Sequence, residues 1–247
     1  MNSNPKISII TVVFNSKNYI EDTIKNILSQ TYKNIEYIII DGKSTDGTVE
    51  IIKTYQDEIS VWVSEPDKGL YDAMNKGIRL ATGDYILFIN SGDKLFDITT
   101  IEQVFSKPIA DVYYGDTVII NTNDQEIGLR RLRPPEKLSF KSFRKGMLVC
   151  HQSFIARREL VPNFNLNYRF AADYDWTIQI LKNSQLIINT SLIISKFLEG
   201  GQTSRTVYKG LLERFMIMKK HYGLILAIML NLILIPRFIG YLFTKRI

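Results

Sequence analysis

Cysteine is almost absent from this chain. Its 247 residues include a single one, Cys150, so an intramolecular disulfide is excluded and a reducing compartment is expected. The opening Met-Asn-Ser-Asn-Pro-Lys-Ile shows no apolar region of the kind that secretory signals carry. We therefore expect a protein that works in the cytoplasm.

A glycine-rich phosphate loop is also missing. The first apolar run is followed by Phe14-Asn-Ser-Lys-Asn18, which matches neither G-x-G-x-x-G nor G-x-x-x-x-G-K-S/T. This argues against a dinucleotide-binding enzyme and a P-loop enzyme. It also argues against a nucleotidyltransferase, which would need a glycine-rich loop bearing Arg or Lys at this place. No recognised nucleic-acid-binding motif is present either, so nucleic acid is not expected as a partner.

No apolar run is long enough to cross a bilayer. The longest spans residues 224–235 and is apolar except for Asn231, whereas a spanning helix needs about 20 residues. Two interpretations of the C-terminal segment, residues 206–247, are open. It is a helix buried against the domain, or an amphipathic anchor lying in the membrane surface. The flanking basic residues favour the anchor, on the cytoplasmic face of the inner membrane.

Positive charge is concentrated in two places. The chain has a net charge of +6. Residues 201–247 hold eight Lys or Arg and one Asp or Glu, and residues 130–145 hold seven basic residues and one acidic residue. Such clusters suit phosphates or anionic lipid. A solvated surface is the simpler explanation for residues 130–145.

Strands and helices alternate through residues 1–93. The apolar patterns predict strands at 6–14, 35–40, 59–63 and within 83–93, with helices near 19–28, 49–55 and 70–81 between them. This order implies right-handed crossovers and a parallel sheet. Because the loops after parallel strands meet at one edge, Asn15, Asp41 and Asp93 are expected to converge there.

The second half is less regular. Strands are predicted near 111–116, 118–120, 149–156 and 186–194, in a mixed or antiparallel arrangement, and a helix begins near residue 172. Asp173 and Asp175 fall in its first turn, where they either complement the helix dipole or supply a general base. His151 interrupts an apolar strand, as a hydrogen-bonded structural residue or as a ligand-binding one.

Five motifs in order carry a family resemblance. They are Ile9–Asn15, Asp41–Thr48, Glu65–Gly77, Ala81–Asp93 and Ala172–Trp176. Together they resemble the family 2 inverting glycosyltransferases, over roughly residues 6–200. The resemblance implies a GT-A fold, an α/β architecture with a mostly parallel central sheet and helices on both faces.

The resemblance also implies roles for individual residues. Thr11, Asn15, Asp41, Gly69, Asn75 and Ser91 would bind the nucleotide sugar, with Asp41 at the uridine. Asp93 would bind Mg²⁺ or Mn²⁺ on the diphosphate, and Asp173 would be the catalytic base. His151 and Asp175 are secondary candidates on the acceptor side. Two departures from the family pattern stand out: Asn90 and Gly92 replace acids, and Ala172 replaces a glutamate.

The predicted organisation follows from these roles. Residues 1–205 form the transferase domain, with a nucleotide-binding half at 1–93 and an acceptor half at 94–205, and residues 206–247 form a helical extension. The expected activity is transfer of a sugar, with inversion, from a UDP-sugar to a lipid-linked or polysaccharide acceptor. The alternative is an inactive sugar-nucleotide-binding protein, which loss of Asp93 or Asp173 would mark; both are present. The oligomeric state stays open.

Overall fold

The computed structural model describes residues 4–200 and 207–232. Nine strands and six helices have both ends in those ranges, and a further helical stretch begins at residue 224. The strands are β1 (Ile7–Val13), β2 (Ile35–Asp41), β3 (Val61–Ser64), β4 (Tyr85–Phe88), β5 (Lys94–Leu95), β6 (Val112–Ile120), β7 (Glu126–Leu129), β8 (Phe154–Arg157) and β9 (Ile187–Leu198). The helices are α1 (Ile20–Leu28), α2 (Thr48–Thr54), α3 (Leu70–Leu80), α4 (Thr100–Phe105), α5 (Ala172–Asn183) and α6 (Val207–Tyr222). Three short 3₁₀ segments lie at Phe140–Lys145, His151–Ser153 and Arg158–Leu160.

All the described strands belong to one sheet, in the order β3-β2-β1-β4-β8-β6-β9-β5, with β7 paired to β6. The first four strands are parallel to one another, as the alternation of residues 1–93 predicts. β8 joins β4 and β6 in antiparallel pairing, and β9 runs parallel to β6. The α/β fold class is confirmed, and the two predicted halves share a continuous sheet.

Alternate residues of β1 enter two separate apolar cores, one on each face of the sheet. Ile10 and Val12 pack in the core that α3 and α5 cover. Ile9 and Val13 pack in the core that α1, α2 and α4 cover. A strand buried on both faces must be apolar throughout, which explains the unbroken run in the sequence. Burying each isoleucine stabilises the folded state by about 2 kcal/mol. The strands, packed on both faces, support the loops at their carboxyl ends.

Helix α6 packs against the domain with one face only. Ile217 and Met218 are buried in the α3–α5 core, and Ala227, from a further helical stretch at 224–232, joins them. Within the described ranges no helix is long and apolar enough to cross a membrane. Residue 206 and residues 233–247 of the predicted C-terminal segment lie outside the described residues.

Candidate active site

Three polar loops are tied together at the carboxyl edge of the parallel strands. Asn15, after β1, adopts a left-handed backbone with φ of 47°. Its N–H donates to Ser44 Oγ at 2.8 Å, and its Oδ1 accepts from the Thr45 N–H at 2.9 Å. Ser16 Oγ lies 2.8 Å from Ser91 Oγ in the loop after β4. The loops after β1, β2 and β4 thus converge, as the order of strands and helices predicts.

Asp41 lies inside this edge and not on its surface. Its side chain is fully buried at the end of β2. One carboxylate oxygen accepts from the Ser44 hydroxyl, and the other accepts from the Ser44 N–H at 3.0 Å and the Ser64 hydroxyl at 2.6 Å. Asp41 therefore connects the loop after β2 to the end of β3 from inside the protein. Contact with a uridine stays a prediction.

Two of the predicted nucleotide-binding side chains are not at the edge. Thr11 is fully buried, and its hydroxyl donates to Ile89 O at 2.7 Å. Asn75 is buried too, with its amide bonded to both the N–H and the carbonyl of Phe164 at 2.6 and 3.0 Å. These side chains brace the sheet and the 160s segment. Gly69 does lie at the surface, with φ of 115° directly before α3.

Asp173 stands at the start of α5 and faces α3 and the segment before β8. Its Oδ1 accepts from Tyr71 Oη–H at 3.1 Å and from the Tyr174 N–H at 2.9 Å. Its Oδ2 lies 3.7 Å from His151 Nδ1, and its side chain is 24% exposed. Burial alone would raise the pKa of Asp173, but His151 and these two donors outweigh it and lower that pKa below its usual range. The carboxylate is thus ionised and still reachable from solvent.

His151 is held between Asp173 and the loop after β4. Its Nε2 lies 3.2 Å from Asn90 Nδ2. When that amide donates to Nε2, the proton of the neutral ring is on Nδ1, which faces Asp173. Asn90 Oδ1 is buried without a hydrogen-bond partner. The structure thereby aligns Asn90, His151, Asp173 and Tyr71 in one row of polar contacts.

Asp93 is turned away from this row and into the protein. Its side chain is 5% exposed. Oδ2 accepts from Gln152 Nε2 at 2.7 Å, and Oδ1 accepts from the Leu198 N–H at 3.0 Å. Burial raises the pKa of Asp93 to about 6, against the opposing effect of these two hydrogen bonds. The carboxylate links the loop after β4 to the 3₁₀ segment before β8 and to the end of β9.

The residues at 90–93 do not fit a divalent cation as they stand. Mg²⁺ and Mn²⁺ prefer several oxygen ligands, and here one carboxylate is present with both oxygens already engaged. Across residues 4–200 and 207–232, no three His, Cys, Asp or Glu side chains are grouped to hold a metal ion. The Mg²⁺ or Mn²⁺ implied by the family resemblance stays a prediction.

Replacing Asp93 with asparagine tests which role its carboxylate has. Because the folded-state pKa of about 6 exceeds the unfolded value of about 4, the folded protein binds the extra proton. The contribution of Asp93 to stability therefore falls as the pH rises from about 4 to 7, by about 2–3 kcal/mol. Asp93→Asn should remove this decline, as measured by thermal unfolding across that range. If Mn²⁺ raised the unfolding temperature of the wild type and not of the variant, Asp93 would be a metal ligand instead.

Asp175 is not brought to the site. It lies on the opposite side of the first turn of α5, fully buried under α6. Lys220 Nζ approaches its two oxygens at 3.0 and 3.1 Å, and His221 Nε2 contacts Oδ1. These partners lower the pKa of Asp175, although its burial, the largest single effect, acts to raise it. Asp175 therefore connects two helices, and the acceptor-side role predicted for it stays a prediction that this position does not support.

Comparison with known proteins decides the family. The model described as "Glycosyl transferase family 2" matches residues 8–163, more than half of the chain. The chain belongs to glycosyl transferase family 2. This membership makes the protein a glycosyltransferase enzyme, and the matched segment ends before α5.

The similarity of this glycosyltransferase to curated relatives extends over most of both chains. A PGL/p-HBAD biosynthesis glycosyltransferase of Mycobacterium bovis is 30% identical over 238 residues, covering 92% of this chain and 90% of the relative. Escherichia coli WfaP, named a UDP-Glc:alpha-D-GlcNAc-diphosphoundecaprenol beta-1,3-glucosyltransferase, is 29% identical over 215 residues, covering 86% and 85%. Both relatives are named as enzymes that transfer a sugar.

Solved structures share the fold. S. aureus TarS 1–349 in complex with UDP-GlcNAc superposes with a TM-score of 0.67 at 17% identity, over 87% of this chain and 64% of that one. The glycosyltransferase thus spans about two thirds of that TarS chain. Mannosyltransferase PcManGT from Pyrobaculum calidifontis, in complex with GDP-Man and Mn²⁺, gives 0.61 at 15% identity, over 94% and 76%.

Two polar residues of the candidate site, Tyr71 and Gln152, are not among the site residues predicted from sequence. Tyr71 sits in an apolar helical stretch and has the pattern of a core residue, and it is indeed 8% exposed. Gln152 donates a hydrogen bond to Asp93. In the sequence, only its position beside His151 in an otherwise apolar run indicates that it could belong to the site. Neither contact is visible in the spacing of the sequence, because each joins residues more than fifty positions apart.

Proposed function

We propose that this glycosyltransferase moves a sugar, with inversion, from a UDP-sugar to a hydroxyl of a lipid-linked or saccharide acceptor. The observation that carries the proposal is Asp173, an ionised and partly exposed carboxylate held between Tyr71 and His151 at the edge where the three loops meet. WfaP is named for a UDP-Glc donor and a diphosphoundecaprenol acceptor, and the TarS complex contains UDP-GlcNAc. These names support UDP and a lipid-linked acceptor here.

The donor nucleotide is proposed to lie along the joined loops. Asn15, Ser91 and Gly69 are the predicted donor-binding residues that remain accessible there. Asp41 supports the uridine end, because it holds Ser44 against Asn15. In this arrangement the sugar points toward β4 and α5, between Asn90 and Asp173.

Transfer then needs one proton acceptor. Asp173 takes the proton of the acceptor hydroxyl while that oxygen forms its bond to the anomeric carbon. The bond to the nucleoside diphosphate breaks on the opposite face, so the configuration at this carbon inverts. His151 and Tyr71 keep Asp173 ionised and aimed before the reaction. A divalent cation would offset charge on the leaving diphosphate. The proton transfer to Asp173 does not depend on such a cation.

An inactive sugar-nucleotide-binding protein is the alternative. The protein would be incubated with a membrane lipid extract and a panel of nucleotide sugars, and released nucleoside diphosphate would be measured. We expect UDP release that depends on the extract, and a product of inverted anomeric configuration by NMR. Donor binding without diphosphate release from any nucleotide sugar would favour the alternative, and a retained configuration would exclude the inverting mechanism.

We also propose that the face of α6 and of residues 224–232 turned away from the domain binds an anionic membrane surface. Seven large apolar side chains are exposed on these two helical stretches: Leu212, Met216, Leu224, Ile225, Ile228, Met229 and Leu232. The basic stretch at 130–145 lies beside α6, since Tyr222 stacks on Phe140 and donates to its carbonyl at 2.6 Å. Lys141 and Lys145 of this stretch are exposed, and basic residues near an exposed apolar surface suit anionic headgroups.

Vesicle co-sedimentation tests the membrane surface. The wild type should bind phosphatidylglycerol vesicles, and phosphatidylcholine vesicles less strongly. Ile225→Glu with Met229→Glu should reduce binding about tenfold or more, because two apolar side chains are lost and two negative charges are added. Ile127→Glu is the matched control, since Ile127 is 54% exposed on β7. Equal binding by all three proteins would contradict the proposal.

A further inference from the structure

The helix that carries Asp173 receives its N-terminal cap from another helix. Glu213 of α6 is 9% exposed. Its carboxylate accepts three backbone N–H groups, from Arg169 at 2.8 Å, Phe170 at 2.7 Å and Ala171 at 2.9 Å. Charge-assisted hydrogen bonds of this length are among the stronger ones in proteins.

These three N–H groups belong to the chain directly before α5. Ala171 is the N-cap residue and offers no side-chain hydrogen bond of its own. The N–H of the N-cap residue is among those at a helix start that lack a partner within the helix, and a buried N–H without a partner is costly. Glu213 supplies a partner for the N–H of Ala171 and for the two N–H groups before it. Asp173 is two residues beyond the last of the three bonds.

Helix α6 contacts α5 a second time, away from the site. Lys220 and His221 bind Asp175, whose side chain lies on the far side of the first turn from Asp173. The contacts between α6 and the α5 region thus include one at the backbone that leads to Asp173 and one at a buried carboxylate. Variants at the two contacts can therefore separate a role of α6 in positioning Asp173 from a role in stabilising the fold.

We propose that Glu213 is a positioning residue for sugar transfer. By fixing the backbone of residues 169–171, it sets where α5 begins and holds the Asp173 carboxylate against Tyr71 and His151. The inference rests on the proposed role of Asp173 as the base. Small displacements of a reacting group are expensive, with about 1 Å costing up to about 100-fold in rate.

The test compares Glu213→Ala and Glu213→Gln with His221→Asn, which loosens the contacts of His221 with Asp175 and Lys182 and leaves Glu213 in place. Rates would be measured well below each variant's unfolding temperature, with UDP binding measured by calorimetry. Glu213→Ala should lower kcat by about 10- to 100-fold with KM for the donor within about twofold. Glu213→Gln should fall between it and the wild type, because an amide oxygen still accepts but lacks the charge. His221→Asn should keep kcat within about twofold of the wild type while losing stability.

Three results would overturn the inference. Wild-type kcat in both folded Glu213 variants would show that the cap does not position the base. A loss of kcat in His221→Asn equal to that in Glu213→Ala would show that α6 acts through stability alone. A rise in KM without a change in kcat would place Glu213 in donor binding. Normal turnover by Asp173→Asn would instead refute the assignment of the base, whatever the Glu213 variants do.

Discussion

Asp173→Asn should lower the rate of sugar transfer by about 10²- to 10⁴-fold, the usual contribution of a general base, with UDP binding within about twofold. The amide oxygen still accepts from Tyr71 and from the Tyr174 N–H, so the local structure survives. It cannot take a proton from the acceptor hydroxyl. Single-turnover release of UDP and calorimetric UDP binding would measure the two effects separately.

Asp175→Asn is the matched control for this experiment. The same change, two residues along α5, meets a buried carboxylate that binds Lys220 and His221. Removing its charge leaves these groups partly uncompensated, which should cost about 3 kcal/mol of stability. Turnover of the folded fraction should stay near that of the wild type. Normal turnover by Asp173→Asn, or equal loss in both variants, would contradict the proposed base.

His151→Asn should move the acid limb of the kcat/KM profile to higher pH. His151 contributes to lowering the pKa of Asp173, against the effect of burial, so its removal raises that pKa. Because the base must be ionised, activity is then lost at a higher pH than in the wild type. At the optimum, kcat should fall by about tenfold as the carboxylate loses a partner that aims it. Stopped assays from pH 4 to 8 would show both effects.

His221→Asn is the control for the profile as well. The chain has two histidines, and each faces one aspartate of α5: His151 faces Asp173 and His221 faces Asp175. Both ring resonances can therefore be assigned with one variant, and the pKa of each histidine followed by NMR. The acid limb should be unchanged in His221→Asn. An unchanged limb in His151→Asn would remove His151 from the site.

The sequence by itself determined the parallel half of the sheet and the edge at which the site lies. Strand and helix patterns are local: an isoleucine-rich run such as Ile35–Asp41 must be buried on both faces, and alternation with helices forces right-handed parallel crossovers. The convergence of the loops after β1, β2 and β4, and the placement of Asp173 in the first turn of a helix, follow from those local rules; that the Asp93 side chain would join Asn15 and Asp41 there does not. Five ordered motifs were enough to indicate the family.

Only the tertiary structure decided how the individual carboxylates are used. Asp173 and Asp175 are two residues apart and look alike in the sequence, yet one faces Tyr71 and His151 and the other lies under α6. Asp93 follows a polar turn but is drawn inward by Gln152 and the Leu198 N–H. These fates depend on partners dozens of positions away, and local periodicity carries no information about them. The contact of Glu213 with the backbone before α5 is of the same kind, because it joins residues more than forty positions apart.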